Sequence, residues 1–408
     1  MIDRNFVYGD RVQLTDNKGK LYSITLTAGA EWHTHKGMLK HDELVGLPEG
    51  SIVQTNGELK FQIFRPLLAD YVLSMPRGAT IVYPKDAAMI LGVADIKPGI
   101  KVLEAGVGSG ALSISILRAI GDTGFLHSVE IRDDFAQISQ NNVTNYFNQM
   151  PKNWKLTTGA LQDQQFDADY DRVILDMLSP WDCVETASKV LVPGGVLLSY
   201  VATTTQLSKI AEAIKDSGNF TEPESSETIV RGWHHEGLAV RPQHRMIGHT
   251  GFLHSVEIRD DFAQISQNNV TNYFNQMPKN WKLTTGALQD QQFDADYDRV
   301  ILDMLSPWDC VETASKALVP GGVLLSYIAT TTQLSKIAEA IKDSGNFTEP
   351  ESSETIVRGW HHEGLAVRPQ HRMIGHTGFL IFARRMAPGV AVLPRRRRPS
   401  KGSYGVTE

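Results

Sequence analysis

Cysteine is almost absent: 408 residues contain two, Cys183 and Cys310, and both occupy the same position of an internal repeat. No disulfide framework and no cysteine-based zinc site can be built from them, which fits a reducing cytoplasm. Long apolar runs are missing too, and nothing approaches the ~18 consecutive apolar residues of a membrane-spanning helix. The opening MIDRNFVYGDRVQL has no apolar core and does not read as a secretory signal. Charge is nearly balanced, 40 basic against 46 acidic residues, and a net −6 taken alone argues weakly against a nucleic-acid partner. What remains is the composition of an ordinary soluble chain, 41% apolar and long enough for two or three domains.

The repeat dominates the organisation. Residues Thr123–His249 recur as Thr250–His376, offset by 127 positions, with Val190→Ala317 and Val201→Ile328 as the differences. Solenoid repeats are shorter, diverged and numerous, so this is a tandem duplication of most of one domain, or an assembly artefact. The tetrapeptide TGFL starts at Thr123, Thr250 and Thr377; twice it runs into HSVEIR and the third time into IFARR. Recombination between two ancestral TGFL sites would produce that order. The second copy holds 16 acids and 10 bases and therefore carries the whole net charge. A chain with one copy would be near neutral, which leaves room for a basic patch.

Residues 1–65 alternate polar and apolar in short runs (RVQLTD, KLYSITLT, SIVQTN, LKFQIFR) separated by turn signals, the pattern of a small antiparallel β domain. Pro66 to Lys97 reads as a helical linker. Strand and helix patterns then alternate: KVLEAG, GALSISILRAI, FLHSVEI, DDFAQISQNNVTNYFNQM, DRVILDM, ETASKVL, GGVLLSYVA, TTQLSKIAEAIKDSG. Such alternation makes an α/β fold with a mostly parallel sheet. We therefore divide the chain into 1–65, a 66–249 segment, its partial repeat 250–386, and a basic tail 387–408 containing Arg395–Arg398 that should be disordered.

The strongest chemical signal is Val102–Gly110, VLEAGVGSG, where a buried strand ends in an acid and enters an E-x-G-x-G-x-G turn opening a helix. Glycines admit a ligand to the backbone, and the helix start offers free N–H groups. The spacing is tighter than the G-x-G-x-x-G of dinucleotide sites. Glu104 beside the turn suits a cationic sulfonium and repels a pyrophosphate. Glu130 ends the following strand, where a carboxylate can accept ribose hydroxyls. The run Asp176–Trp181, DMLSPW, falls at the carboxyl edge of another strand, where open α/β sheets bind ligands.

Taken together, HDELVGLPEG, RGATIVYPKDAAMI, VLEAGVGSGALS, VEIRDDFA, ILDMLSPW, YVATTTQLSKI and RGWHHEGLAVRPQHRMIGHTGFL closely resemble the bacterial tRNA (adenine-58, N1)-methyltransferases. The resemblance spans nearly the whole chain once one repeat is removed. It implies a class I (Rossmann-like) methyltransferase domain with a small N-terminal β domain, S-adenosyl-L-methionine as methyl donor, tRNA as substrate, and a cytoplasmic homotetramer. Asp176 matches the family's catalytic carboxylate, and Tyr83 its tyrosine beside the target base. Glu104, Gly106, Gly108, Ser109, Gly110 and Glu130 match cofactor positions. Where some relatives have Asp this chain has Ala160, and Asp163 stands in. The second copy carries Asp303, Glu257, Asp290 and Trp308 but no second glycine turn, so there is one cofactor site.

Methyl transfer from a sulfonium needs alignment and a dry site rather than a metal. His33, His35 and His41 accordingly read as surface residues, and His234 and His235 as loop residues near the substrate entrance. The glycine-turn segment can close a sheet with either copy. The contiguous first copy has the lower loop-closure cost, and TGFLHSVEI would then serve as its last strand.

Overall fold

The computed structural model describes residues 5–393, apart from 167–168, 237–238, 244–252, 258, 294–296, 364–365 and 371–375. Arg395–Arg398 thus lie outside the described residues. The N-terminal strands are β1 (Arg11–Asp16), β2 (Leu21–Thr25), β3 (Glu31–Thr34), β4 (Gly37–Lys40), β5 (Ser51–Gln54) and β6 (Lys60–Phe64). They form an antiparallel sheet in the order β2-β1-β6-β5 and a separate β3-β4 hairpin. Alternation works here because each strand buries one face: Val12, Leu14, Phe61 and Ile63 are buried, and Tyr22, Trp32 and Phe61 meet edge to face at 5.2–5.9 Å. The hairpin β3-β4 has no recognisable turn pair and escaped the sequence pattern. His41 is not a surface residue. It is buried, its Nδ1 accepting the Thr27 N–H at 3.1 Å, so it serves the fold.

The linker is two helices, α1 (Leu68–Ser74) and α2 (Pro84–Val93). Pro76 forces Met75 into extended backbone (ψ 156°) and stops α1, while Pro84 pre-sets the first turn of α2. The segment between them passes over the glycine turn, as described below.

The alternating region follows as β7 (Lys101–Ala105), α3 (Ala111–Ile120), β8 (Phe125–Glu130), α4 (Asp133–Phe147), β9 (Trp154–Thr158), β10 (Tyr170–Leu175), α5 (Val184–Val190), β11 (Leu191–Ser199) and α6 (Thr204–Ser217). Its strands form one wholly parallel sheet in the order β11-β10-β7-β8-β9. The order reverses between β7 and β10, and that crevice is where such sheets hold ligands. β7 is buried from Val102 to Ala105 on both faces, and α3 is buried almost all round, its Ser113 and Ser115 included.

Next come β12 (Ser226–Glu236), β13 (Ala239–Gln243), β14 (Leu253–Glu257), α7 (Asp260–Phe274), β15 (Trp281–Thr285), β16 (Tyr297–Asp303), α8 (Val311–Ala317), β17 (Leu318–Ile328), α9 (Thr331–Asp343), β18 (Glu351–Glu363), β19 (Ala366–Pro369) and β20 (Phe379–Arg384). These make a second sheet, β13-β12-β18-β20-β17-β16, with β19 on β18, while among the described residues β14 and β15 pair only with each other.

The structure overturns two expectations. TGFLHSVEI does not close the first sheet: its strand β14 pairs in parallel with β15 across α7, as its twin β8 does with β9 across α4. A short βαβ unit forms locally, where the loop-closure cost is low. β11 is therefore left as an edge, whereas its twin β17 pairs with β20 and is largely buried. Likewise His234 and His235 lie on strand β12, paired in register with Arg241 and Val240, rather than in a loop.

The second sheet also carries the N-terminal domain. Arg384 at the end of β20 is buried, donating to Glu49 Oε2 at 2.9 Å and to the Arg65 carbonyl at 2.8 Å. Glu49 in turn pairs with Arg65 at 3.1 Å, and Arg65 with Asp10 at 2.6 Å. Desolvation lowers the Arg384 pKa, and the facing Glu49 opposes that shift. The tail expected to be disordered from residue 387 begins ordered: Met386 and Ala387 are buried, and the Ala387 N–H reaches the Gly50 carbonyl at 3.2 Å.

Candidate active site

The carboxyl ends of β7, β8 and β10 gather the acids singled out in the sequence. Glu104, on β7, is fully buried, and its Oε2 accepts hydroxyl protons from Ser113 at 2.6 Å and Ser128 at 2.7 Å. Among the described residues its Oε1 is buried without a hydrogen-bond partner. Burial pushes this carboxyl up to about 7 against the pull of the two serines, and the neighbouring Asp176 and Glu130 add to the rise. That corresponds to about 3 kcal/mol in favour of the neutral form.

Beyond Glu104 the chain turns sharply. Gly106 has φ 87°, and its N–H bonds the Val129 carbonyl at 2.9 Å. A Cβ there would lie 1.8 Å from the Asp176 carbonyl oxygen, so only glycine lets β10 pass this close. The Gly108 N–H donates to Glu130 Oε2 at 2.8 Å, and the Arg132 N–H to Glu130 Oε1 at 3.1 Å. Glu130 is thereby fixed at the end of β8 with lone pairs to spare. Gly110, at φ 82°, precedes α3.

Ser109 binds the strap above the turn. Its hydroxyl accepts the Gly78 N–H at 3.2 Å and is 3.3 Å from the Ala79 carbonyl, to which it donates. Asn142, on α4, donates to the Pro76 and Ser109 carbonyls at 2.8 and 2.9 Å and so clamps strap to turn. Asn142 was not singled out in the sequence, because an amide in an amphipathic helix reads as a solvent-facing residue.

Asp176 follows β10, its N–H bonded to the Ala105 carbonyl at 2.8 Å. Burial raises its carboxyl to about 7, with the Glu130 charge second. Tyr83, the residue before α2, is 45% exposed, and both it and Asp176 lie near enough to Tyr200 to act on its phenol. Beside it the structure gathers Lys85, Asp86 and Tyr200, residues of the stretches RGATIVYPKDAAMI and YVATTTQLSKI to which the sequence assigns no role. The Tyr200 hydroxyl donates to Asp86 Oδ2 at 3.2 Å, and Lys85 bridges Asp86 at 2.6 Å and the Thr228 carbonyl of β12 at 3.1 Å. Burial, reinforced by Asp86, lifts the Tyr200 phenol well above its ordinary range.

Asp163 sits exposed on a 3-10 turn beyond the carboxyl end of β9, its N–H bonded to the Ala160 carbonyl at 3.2 Å. The copied set is not assembled. Asp303 is exposed on β16, which among the described residues has no strand on the side opposite β17, and Asp290 is exposed on the detached β14-β15 unit. Glu257 ends β14 in that same unit. Among the described residues no cluster of three histidine, cysteine or acidic side chains could hold a metal ion.

A five-stranded parallel sheet with a glycine turn after its central strand, an acid before the turn and another acid after the next strand is a class I (Rossmann-like), S-adenosylmethionine-dependent methyltransferase. The residues fit that cofactor in this chain. Among the described residues Glu104 Oε1 is buried with no partner, a group that a cationic ligand would satisfy, and the backbone of the turn approaches where a Cβ could not stand. The model of the tRNA methyltransferase complex GCD14 subunit family matches residues 66–243 and again 238–364, once per copy, and a TrmI-like N-terminal model matches 5–53. The chain belongs to that methyltransferase family.

Among curated relatives, the tRNA (adenine(58)-N(1))-methyltransferase TrmI of Thermus thermophilus is 33% identical over 241 residues, 59% of this chain and 93% of that protein. The tRNA (adenine(57)-N(1)/adenine(58)-N(1))-methyltransferase TrmI of Methanocaldococcus jannaschii is 28% identical over 269 residues, 59% of this chain and 92% of that one. The tRNA (adenine(58)-N(1))-methyltransferase catalytic subunit trmt61a of Dictyostelium discoideum is 26% identical over 231 residues, 55% of this chain and 73% of that one.

Proposed function

We propose that this chain methylates N1 of the T-loop adenine at position 58 of tRNA in the cytoplasm, using S-adenosyl-L-methionine. The observation that carries the reading is the junction of Asp176 with the glycine turn, in a family whose relatives bear that activity in their names. We assign the cofactor contacts to Glu104, Gly106, Gly108, Ser109, Gly110, Glu130 and Asp163, and the chemistry to Asp176 and Tyr83. Residues 66–249 supply the catalytic crevice, 1–65 an accessory β domain, and 250–386 a scaffold. When bound, S-adenosyl-L-methionine supplies an electrophilic methyl group.

The protein's part is to align and dry the site. Glu104 and Glu130 offer carboxylate oxygens to a cationic and hydroxyl-bearing ligand, and the strap Pro76–Ala79 covers the turn. Asp176 accepts a hydrogen bond from the adenine exocyclic amine, which becomes more acidic as the ring gains positive charge, and favours that charge. With a carboxyl near pH 7, the same group can take the amine proton afterwards. Tyr83, aromatic and 45% exposed, stacks the base once it leaves the tRNA fold. In single-repeat form the reading includes a homotetramer holding tRNA between subunits.

The test is N1-methyladenosine formation by the full chain on an unmodified tRNA transcript with S-adenosylmethionine. Product at the T-loop adenine, lost when that base is replaced by guanine, is the expected result. Folded, cofactor-binding protein that yields no product would overturn the reading.

A further inference from the structure

The ladder between β12 and β18 joins a segment to its own copy. Ser226–Glu236 and Ser353–Glu363 are the same eleven residues, SETIVRGWHHE, at the 127-residue offset. They run antiparallel with Ile229 opposite Ile356, Glu227 opposite Arg358, Arg231 opposite Glu354, and Thr228 opposite Val357. Ile356 is Ile229 of the second copy, Arg358 is its Arg231, and Glu354 its Glu227. Each residue therefore meets the residue that its own copy meets in return, about a local two-fold axis through the isoleucine pair.

The side chains obey the same symmetry. Arg358 pairs with Glu227 at 3.2 Å, and Arg231 with Glu354 at 3.3 Å. The Ser225 hydroxyl donates to the Trp360 carbonyl at 3.2 Å, and the Ser352 hydroxyl to the Trp233 carbonyl at 3.2 Å. Two strands joined merely to cover an open edge have no reason to adopt a self-centred register, because a shift of two residues keeps every side chain on its face. Reciprocal contacts of this kind are the signature of an isologous interface, normally made between two identical subunits.

We propose that the β12–β18 ladder is a two-fold self-association surface satisfied within one chain, the second repeat occupying the place of a second copy of this segment. The partner for which β12 is built is SETIVRGWHHE itself. The ladder also backs the candidate site, since Lys85, beside Asp86 and Tyr83, donates to the Thr228 carbonyl in the middle of β12. The repeat thus supplies internally a wall that a single-copy chain would obtain by pairing with another chain.

Cysteine pairing in the full chain tests this without reference to catalysis. Directly opposed residues of an antiparallel pair lie about 4.5–5.5 Å apart at Cα, within disulfide range. Ile229→Cys/Ile356→Cys should oxidise to a bridged monomer on a non-reducing gel. Glu227→Cys/Arg358→Cys, in the same register but away from the core, should do likewise. Each single variant should stay an unlinked monomer, with wild type controlling for Cys183 and Cys310. Disulfide-linked dimers from Ile229→Cys alone would overturn the proposal, because the surface would then pair between chains. So would failure of both double variants to bridge while they melt as wild type does.

Discussion

The Asp176 carbonyl oxygen lies where the side chain of any other residue at Gly106 would begin: a Cβ there would be 1.8 Å away. This contact sets the backbone of the residue that bears the proposed catalytic carboxylate against the cofactor turn, and it makes the site intolerant of the smallest change. Gly106→Ala must displace the end of β10 and also hold alanine at φ 87°. We expect a loss of about 2–4 kcal/mol in stability, from overpacking and left-handed strain together. Cofactor binding, followed by titration calorimetry, should be abolished even in the folded fraction.

The two copies of DMLSPW should separate cleanly. Asp176→Asn removes the carboxylate beside the glycine turn and should lower methyl transfer by about 100- to 1,000-fold, the usual scale for losing one aligned electrostatic group. Asp303→Asn changes an exposed side chain with no glycine turn beside it and should leave the rate within about twofold. Equal losses in both variants would show that the second copy takes part in catalysis.

Cofactor binding should release protons near neutrality. Glu104 and Asp176 both stand at about 7, so each is half protonated there in the ligand-free protein. A bound cation lowers both values, and affinity should therefore climb from pH 6 to pH 8 and then level off. Calorimetry at pH 7 in buffers of different ionisation enthalpy measures the released protons directly. Glu104→Gln should reduce that number and flatten the climb.

Stability should move opposite to activity at Asp176. Its folded pKa is raised above the unfolded value, so its contribution is full below about pH 4 and is lost as pH rises through about 7. Asparagine escapes that cost. The ligand-free Asp176→Asn protein should melt higher than wild type at pH 8, and the gap should narrow toward pH 5.

The anchor of the N-terminal domain is a paired buried charge. Glu49→Ala leaves the Arg384 guanidinium buried without its carboxylate. A cost of about 3–5 kcal/mol is expected, read as a lower denaturation midpoint. Arg384→Met/Glu49→Met should recover most of it by replacing the pair with apolar packing.

Much of the site was legible in order along the chain. Glu104, the glycines and Glu130 lie within 27 residues on consecutive strand ends, and a short-range motif reports them because local geometry alone brings them together. Asn142, Tyr200, Asp86 and Lys85 were not legible. They act across long separations, as when Lys85 reaches the Thr228 carbonyl, and each has a residue type common on any surface. The burial of His41 was not legible for the same reason, since nothing beside it in sequence signals that the Thr27 N–H will donate to its ring.

By itself the sequence determined the class of fold, the single cofactor turn and the repeat, because apolar periodicity and turn chemistry are local and survive copying. It could not decide which copy owns which strand. β11 and β17, β8 and β14, and β12 and β18 are near-identical segments with the same propensities, yet each member of a pair has different neighbours. That choice belongs to tertiary structure. Only one β7 exists to gather strands around it, and only one β20 exists to cover an edge, so identical sequences are left with unequal partners.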